Sequence, residues 1–467
     1  MRKPIVRLQS ITIKNIKNVE DGEILMPYAF KKQNKYDKAE ILGIYGQNGS
    51  GKTAIVDSVY FLQVLLSGSS IDKTWSDYVD ARKDEAQIEA TLLIVFENTT
   101  YDVTYSVKLA RDGEDVVIVE ESLASSTITA DKRTNKTTIV CYERGESDVF
   151  TPKKRYDEIV RIVPEASINL IVAKKMAEKS KCSYIWGESS REIFLSRDEN
   201  NQVRWDYAII IAALFNFAVR DLFVIRNTHS GYITANIALP MAFRIDQEDK
   251  GIKGEFAVSL REPTLLDMER LEILKRIVDD IDTVLYTIIP GMKILVKDLG
   301  AQTLEDGKEG HRVELLSQHY DLPAIPIRME SEGIIKIVSI LNAMIQMFSD
   351  PSICLVIDEM DSGIYEYMFG ELLSISAQSA KGQLIFTSHN LRPLEMLDKD
   401  SIIFSTANSK KRYIHMKNVK STNNLRDVYI RCITLGGQNE KLYEETDSLK
   451  IARAFRKAGR RIADVKQ

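Results

Sequence analysis

The chain has 467 residues, 44% of them hydrophobic, enough for two lobes that each bury a core. A formal net charge of −4 excludes a surface built throughout to hold nucleic acid. Four cysteines, Cys141, Cys182, Cys354 and Cys432, lack paired spacing, which argues against a disulfide framework or a zinc site and makes the cytosol the expected compartment.

Polar residues interrupt the opening Met-Arg-Lys-Pro-Ile-Val run at once, and no small-residue cleavage site follows, so no signal peptide is expected. Residues 5–13 alternate apolar with polar, the period of a half-buried strand, and 23–26 offer a hairpin partner. The apolar run 41–45 leads into a glycine-rich turn and then a helical pattern over 52–66, which stops at Gly68 and two serines. Runs at 88–96, 101–109 and 115–121, separated by Asn98 and by Asp112-Gly113, predict an antiparallel meander. After Pro152 the spacing turns helical, at 157–163, 170–179, 206–219 and 265–289. The apolar run 207–219 is broken by Asn216 and too short to span a bilayer, so a buried core helix is expected and no membrane. Strand-like runs return at 292–296, 312–316 and 353–357, with no internal repeat or sustained heptad. The expected plan is a nucleotide-binding lobe from both chain ends, 1–152 and 301–435, a helical insert over 153–300, and a basic helical tail over 436–467.

The segment Gly46-Gln47-Asn48-Gly49-Ser50-Gly51-Lys52-Thr53 fits G-x-x-x-x-G-K-[ST] in full and lies between a short strand and a helix. Glycines without Cβ atoms let successive backbone N–H groups turn inward around phosphates, at the positive end of the helix dipole. Lys52 is expected to reach the β- and γ-phosphates of ATP, and Thr53 to offer its hydroxyl oxygen to Mg²⁺. About 300 residues later Ile353-Cys354-Leu355-Val356-Ile357 reads as a buried parallel strand that delivers Asp358 and Glu359 at its carboxyl end. Asp358 is the expected Mg²⁺ ligand, and Glu359 the residue that orients the attacking water. Taken alone, that run also fits a core strand ending in solvated acids. Residues 384–387 form another β-type run followed by Ser388-His389-Asn390, where the histidine ring N–H is placed to sense a γ-phosphate; a surface histidine is the alternative.

These motifs, with Asp361-Ser362-Gly363 after the acidic pair, resemble in order and spacing the ABC-type ATPase heads of the SMC, RecF and OLD proteins. The implied fold is α/β: a P-loop head with a mixed sheet and an antiparallel β meander, carrying an inserted helical lobe. The resemblance covers roughly 5–125 and 310–435. In such heads a serine-glycine signature precedes the second motif strand, and Glu330-Ser331-Glu332-Gly333 occupies that place before the apolar helix 334–347. By resemblance Ser331 and Gly333 contact the γ-phosphate of ATP bound to a facing protomer; a serine N-cap is the other reading of Ser331. Asp361 resembles the residue that crosses the dimer interface. Lys14 or Lys17 lies where such heads carry a basic residue near the nucleotide, with a solvated strand edge as alternative. Gln87 is the one candidate for a glutamine facing the nucleotide.

Within this group the chain looks most like stand-alone ATPases of bacterial anti-phage systems, including PARIS-like, Septu-like and AbiL-like pairs. The resemblance implies an ATP-hydrolysing sensor and scaffold that dimerises around two ATP molecules and can extend into a larger homo-oligomer. It also implies a separately encoded toxic effector of nuclease type and a phage-derived trigger. The alternative is a RecF- or SMC-like DNA-binding ATPase in repair, and a third option is a scaffold that binds ATP without turnover. OLD nucleases carry a metal-binding acidic cluster after such a head. Asp398-Lys399-Asp400 has the spacing without the rest, so no nuclease site is expected here. The basic amphipathic run 449–466, with Arg453, Arg456, Lys457, Arg460 and Arg461, fits nucleic acid, a protein partner, or a helix packed on the lobe by Phe455.

Overall fold

The computed structural model describes residues 3–30, 38–129, 132–247, 250–304, 306–417 and 424–464. Two antiparallel strands, β1 (Ile5–Ile16) and β2 (Val19–Leu25), open the chain. They are followed by β3 (Glu40–Tyr45), buried at every position, and α1 (Lys52–Leu66). The meander is β4 (Glu85–Phe96), β5 (Thr99–Asp112), β6 (Asp115–Ile128) and β7 (Thr137–Glu143), the last not anticipated. Together they make one antiparallel sheet in the order β2-β1-β4-β5-β6-β7.

Four helices follow, α2 (Lys153–Ile162), α3 (Ala166–Ser180), α4 (Glu188–Phe194) and α5 (Ala208–Asn216). Their inner faces share a core with the meander. From there the expectation of a helical lobe over 153–300 needs correction. β8 (Leu222–Ile225) pairs in parallel with a strand of the nucleotide lobe, and after α6 (Asn227–Thr234) come β9 (Ala238–Gln247), β10 (Lys250–Ser259) and β11 (Thr264–Asp267). α7 (Met268–Ile288) begins three residues later than the pattern placed it, because Thr264–Asp267 pairs as a strand and Asp267 caps the helix by accepting from the Arg270 N–H. β12 (Met292–Thr303) closes this part. The miss has a physical cause: Leu-Phe-Val-Ile at 222–225 is too short and too uniformly apolar for periodicity to separate strand from helix.

The remaining elements are β13 (Glu309–His319), β14 (Ile325–Pro326), α8 (Glu332–Ser349), β15 (Cys354–Ile357), α9 (Glu366–Ser379), β16 (Gln383–Thr387) and α10 (Pro393–Met396). Then come β17 (Ile402–Ser405), β18 (Tyr413–Ile414), α11 (Leu425–Leu435) and α12 (Ser448–Asp464). α8 is long and apolar enough to cross a membrane by composition, yet 67% of it is buried inside the molecule. Phe455 on α12 is 76% exposed, so it does not pack the tail onto the lobe. The side chains of Arg460 and Arg461, and residue Lys466, lie outside the described part of the chain.

Both chain ends and β8 build the central sheet, β18-β17-β3-β16-β15-β8, parallel except for β18. Each strand divides its residues between two cores. Cys354, Val356, Leu42, Ile44 and Ile385 face the core shared with α1 and the meander, while Leu355, Ile357, Ile41, Tyr45 and Phe386 face the core formed with α7, α8 and α9. A sheet buried on both faces needs apolar residues at every position, which explains the uninterrupted runs of the sequence.

Candidate functional site

The strand order brings the motifs together. β3, β16 and β15 are adjacent and parallel, so their carboxyl ends present the glycine-rich loop, Ser388-His389 and Asp358-Glu359 side by side. Loops at carboxyl ends of parallel strands form the usual crevice of open α/β sheets.

The loop from Gly46 to Gly51 is closed by its own polar atoms. Lys52 Nζ donates to the carbonyls of Gly46 (2.9 Å) and Gln47 (3.1 Å), and Ser50 Oγ donates to the Gln47 carbonyl at 2.6 Å. Gly46 has φ 151°, and a Cβ there would lie 1.9 Å from Ser405 Oγ, so only glycine fits beneath β17. Burial lowers the pKa of Lys52, opposed by the nearby Asp358, Glu359 and Asp361 carboxylates. The Gln47 side chain turns away from the cleft and accepts from the Glu444 N–H at 2.9 Å.

Asp358, 1% exposed, stands across from Lys52. Its Oδ1 accepts from Thr387 Oγ1 at 2.6 Å and lies 3.4 Å from Thr53 Oγ1. Its Oδ2 is buried without a hydrogen-bond partner among the described residues. An orphaned carboxylate oxygen beside a threonine hydroxyl fits a hard divalent cation, for which oxygen donors are the natural ligands. The residues are therefore suited to Mg²⁺. Glu359 sits at φ 47°, and its N–H donates to Thr387 Oγ1 at 2.8 Å, so one hydroxyl fixes both acids. These groups, with Asn48, Gly49 and His389, line a cleft of about 370 Å³. Burial, and next the positive charge of Lys52, push the His389 pKa below its ordinary value.

Other expected residues fall in different places. Lys17 lines the cleft, its ammonium paired with Asp57 and 4.6 Å from the Tyr78 ring centre, whereas Lys14 is an exposed residue of β1. Gln87 does not line the cleft; its amide donates to Ser106 Oγ at 3.0 Å. Ser331 is the N-cap of α8, its Oγ accepting from the Ile334 N–H at 3.4 Å. Gly333 is buried against the same chain, since a Cβ there would meet the Gly363 carbonyl at 1.8 Å. Asp361 Oδ2 accepts the N–H groups of His389 (3.1 Å) and Asn390 (2.9 Å), a contact within the protomer that shapes the histidine loop.

Three residues escaped the sequence reading. Thr387 stands one position before Ser388-His389, where a strand-end hydroxyl was the available signal. Lys336 is the lone charge in the apolar stretch of α8; it is 4% exposed, donates to the Glu359 carbonyl, and donates to Ser230 Oγ at 3.1 Å. Burial lowers its pKa. Asn18, whose amide donates to the Gly49 carbonyl, left no signal beyond its place in a β-turn.

Residues 41–395 match the family described as "AAA domain, putative AbiEii toxin, Type IV TA system". No curated protein matches the sequence. Among solved structures, the Smc head domain with an extended coiled coil bound to the C-terminal domain of ScpA from Pyrococcus furiosus shares 13% identity, covering 88% of this chain and 96% of that one at a TM-score of 0.40. The SMC head domain from Thermotoga maritima shares 14% over 88% and 99%, at 0.35. The recombination mediator protein RecF of the RecFOR pathway shares 12% over 87% and 98%, also at 0.35. These likenesses concern an α/β head with antiparallel and mixed sheets and carry nothing further.

Proposed function

Given that the chain belongs to this P-loop ATPase family, whose description names a toxin–antitoxin system, we propose that it binds ATP with Mg²⁺, hydrolyses it, and serves as sensor and scaffold of an anti-phage system. In this reading it holds a separate toxic effector, of nuclease type, and releases or activates it when a phage product is detected. The observation that carries the ATPase part is the buried, unpartnered Asp358 Oδ2 beside Thr53, across the cleft from Lys52.

The loop amides and Lys52 bind the phosphates, with the start of α1 adding its dipole. Thr53 and Asp358 hold Mg²⁺, which when bound neutralises charge on the phosphate oxygens. Glu359, fixed at its N–H by Thr387 and at its carbonyl by Lys336, orients the attacking water. His389 offers a ring N–H to the γ-phosphate. The outer side of the cleft is completed in trans by Ser331, Gly333 and Asp361 of a second copy, giving a homodimer around two ATP molecules that can extend into a larger oligomer. The cytosol is the compartment this reading assumes.

The test is Glu359→Gln. Turnover should fall by about 100-fold or more, with ATP retained and a dimer visible in size-exclusion chromatography only when ATP and Mg²⁺ are present. Lys52→Ala should neither retain nucleotide nor dimerise. Unchanged turnover in Glu359→Gln, or equal nucleotide retention by Lys52→Ala, refutes the proposal.

A second reading, a DNA-binding ATPase in repair, draws on α12, where Lys450, Arg453, Arg456 and Lys457 are all exposed. Duplex binding that weakens steeply with salt, and is lost when these four residues are neutralised, would favour it.

A further inference from the structure

α3 carries an apolar stripe that none of the described residues covers. Ile168 is 68% exposed, Val172 47% and Met176 52%, while Leu170, Ala173 and Ala177 on the opposite face are buried. Spacing of four places the three exposed residues in one row along the helix. The row is flanked by Glu165, the N-cap of α3, and Lys179 in its last turn, both exposed. Neither makes an ion pair among the described residues.

The order of these residues is symmetric about Val172. Ile168 and Met176 lie four positions to either side of it, and Glu165 and Lys179 seven to either side. Laid antiparallel on a second copy, with the two-fold axis at Val172, the helix sets Val172 on its own equivalent and Ile168 on the partner copy's methionine at position 176. Each Glu165 then meets the lysine at position 179. The pairing also brings the positive end of each helix dipole to the negative end of the other. Lys175, the remaining charge beside the row, is already paired with Glu178 at 3.0 Å. A surface complementary to itself under a two-fold rotation is the signature of an isologous contact.

We propose that the outer face of α3 is a homotypic interface with a second copy of this chain, separate from the nucleotide cleft and formed without nucleotide. Its size sets its role. A 15-residue helix is about 22 Å long and about 10 Å across, well under the ~800 Å² per partner of a stable stand-alone interface. It is therefore a weak contact, suited to linking units held together elsewhere.

The test uses the full-length chain with Val172→Cys, an exposed site where the substitution leaves the core intact. A short bismaleimide should link two copies at position 172, mapped by mass spectrometry against the native cysteines. Asn200→Cys, in an exposed loop, is the control and should link far less. Glu165→Lys or Lys179→Glu in the Val172→Cys background should each lower the yield several-fold. Combining both should restore it, since the pairs re-form with reversed sign. The linkage should persist in Lys52→Ala, so that failure of the nucleotide-dependent dimer leaves this outcome readable. Linking at 172 no greater than at 200, or no rescue by the double charge reversal, overturns the proposal; occupation of the stripe by a different protein, or by the exposed apolar face of α12, gives that result.

Discussion

At the scale of single residues, the cleft is governed by a few groups whose charges constrain one another. His389 feels burial first and the Lys52 ammonium second, both of which lower its pKa, while Asp361, Glu359 and Asp358 act in the opposite direction. The ring is thus neutral at pH 7 and gains its proton only below the usual value of about 6.5. Removing the ammonium with Lys52→Ala should move the His389 titration upward, toward the ordinary value, when ring C–H shifts are followed by NMR against pH. A downward movement or none would mean that Lys52 does not govern the ring. The sign for stability follows from the same shift. The unfolded chain takes up this proton at higher pH than the folded one, so the contribution of His389 is complete above about pH 6.5 and is lost as pH falls through the folded pKa. Lys52, Thr53, Asp358 and Glu359 were legible in the sequence because each belongs to a fixed spacing at a strand end. Thr387 and Lys336 were not, since their partners, the Asp358 carboxylate and the Glu359 main chain, are set by tertiary placement that no local pattern encodes.

At the scale of elements, the junction of α8 with the loop after β15 deserves a test because it bears on how Gly333 is read. By resemblance this glycine faces a nucleotide on another copy; in the fold it lets the first turn of α8 lie against Gly363, whose φ is 75°. A methyl group at Gly333 would stand 1.8 Å from the Gly363 carbonyl, a backbone atom that cannot rotate aside. Gly333→Ala should therefore destabilise the nucleotide-free protein by about 1–3 kcal/mol, measured by urea denaturation. The same substitution at a glycine used only across a dimer interface would leave that midpoint unmoved. Elements with strong periodicity, such as α1 and the first three strands of the meander, were readable from the chain alone. β8 was hidden because its apolar run has no period, whereas β9 did carry a strand signal, since Leu239, Met241 and Phe243 alternate with Pro240, Ala242 and Arg244. Burial on both faces of the central sheet, which removed alternation from β3, β15 and β16, was also what made them stand out as unbroken apolar runs.

For the molecule as a whole, the question is how the antiparallel sheet is fastened to the central one so that the loop of β3 keeps its register with the acids of β15. Part of the answer is a buried polar network at the end of the sheet away from the cleft. Arg7 on β1, 2% exposed, donates to the carbonyls of Pro351 (2.9 Å), Lys381 (2.7 Å) and Lys38 (2.9 Å) and to Glu40 Oε2 at 2.8 Å. Gln383 on β16 donates to the same carboxylate oxygen at 2.8 Å and exchanges two hydrogen bonds with the main chain of Leu8. One guanidinium thus joins β1 to the strand that carries the phosphate loop and to the turns that lead into β15 and β16. Arg7→Met would leave the Glu40 carboxylate buried without its cation, a defect that typically costs about 3–5 kcal/mol. Adding Glu40→Gln removes the stranded charge, so the double variant should be more stable than Arg7→Met alone despite carrying one more substitution. Denaturant midpoints of the three proteins decide this: a double variant less stable than the single one would mean that the ion pair is not what fastens the sheets. Because both cores meet at the central sheet, weakening this joint should lower the midpoints reported by the meander and by the nucleotide lobe together.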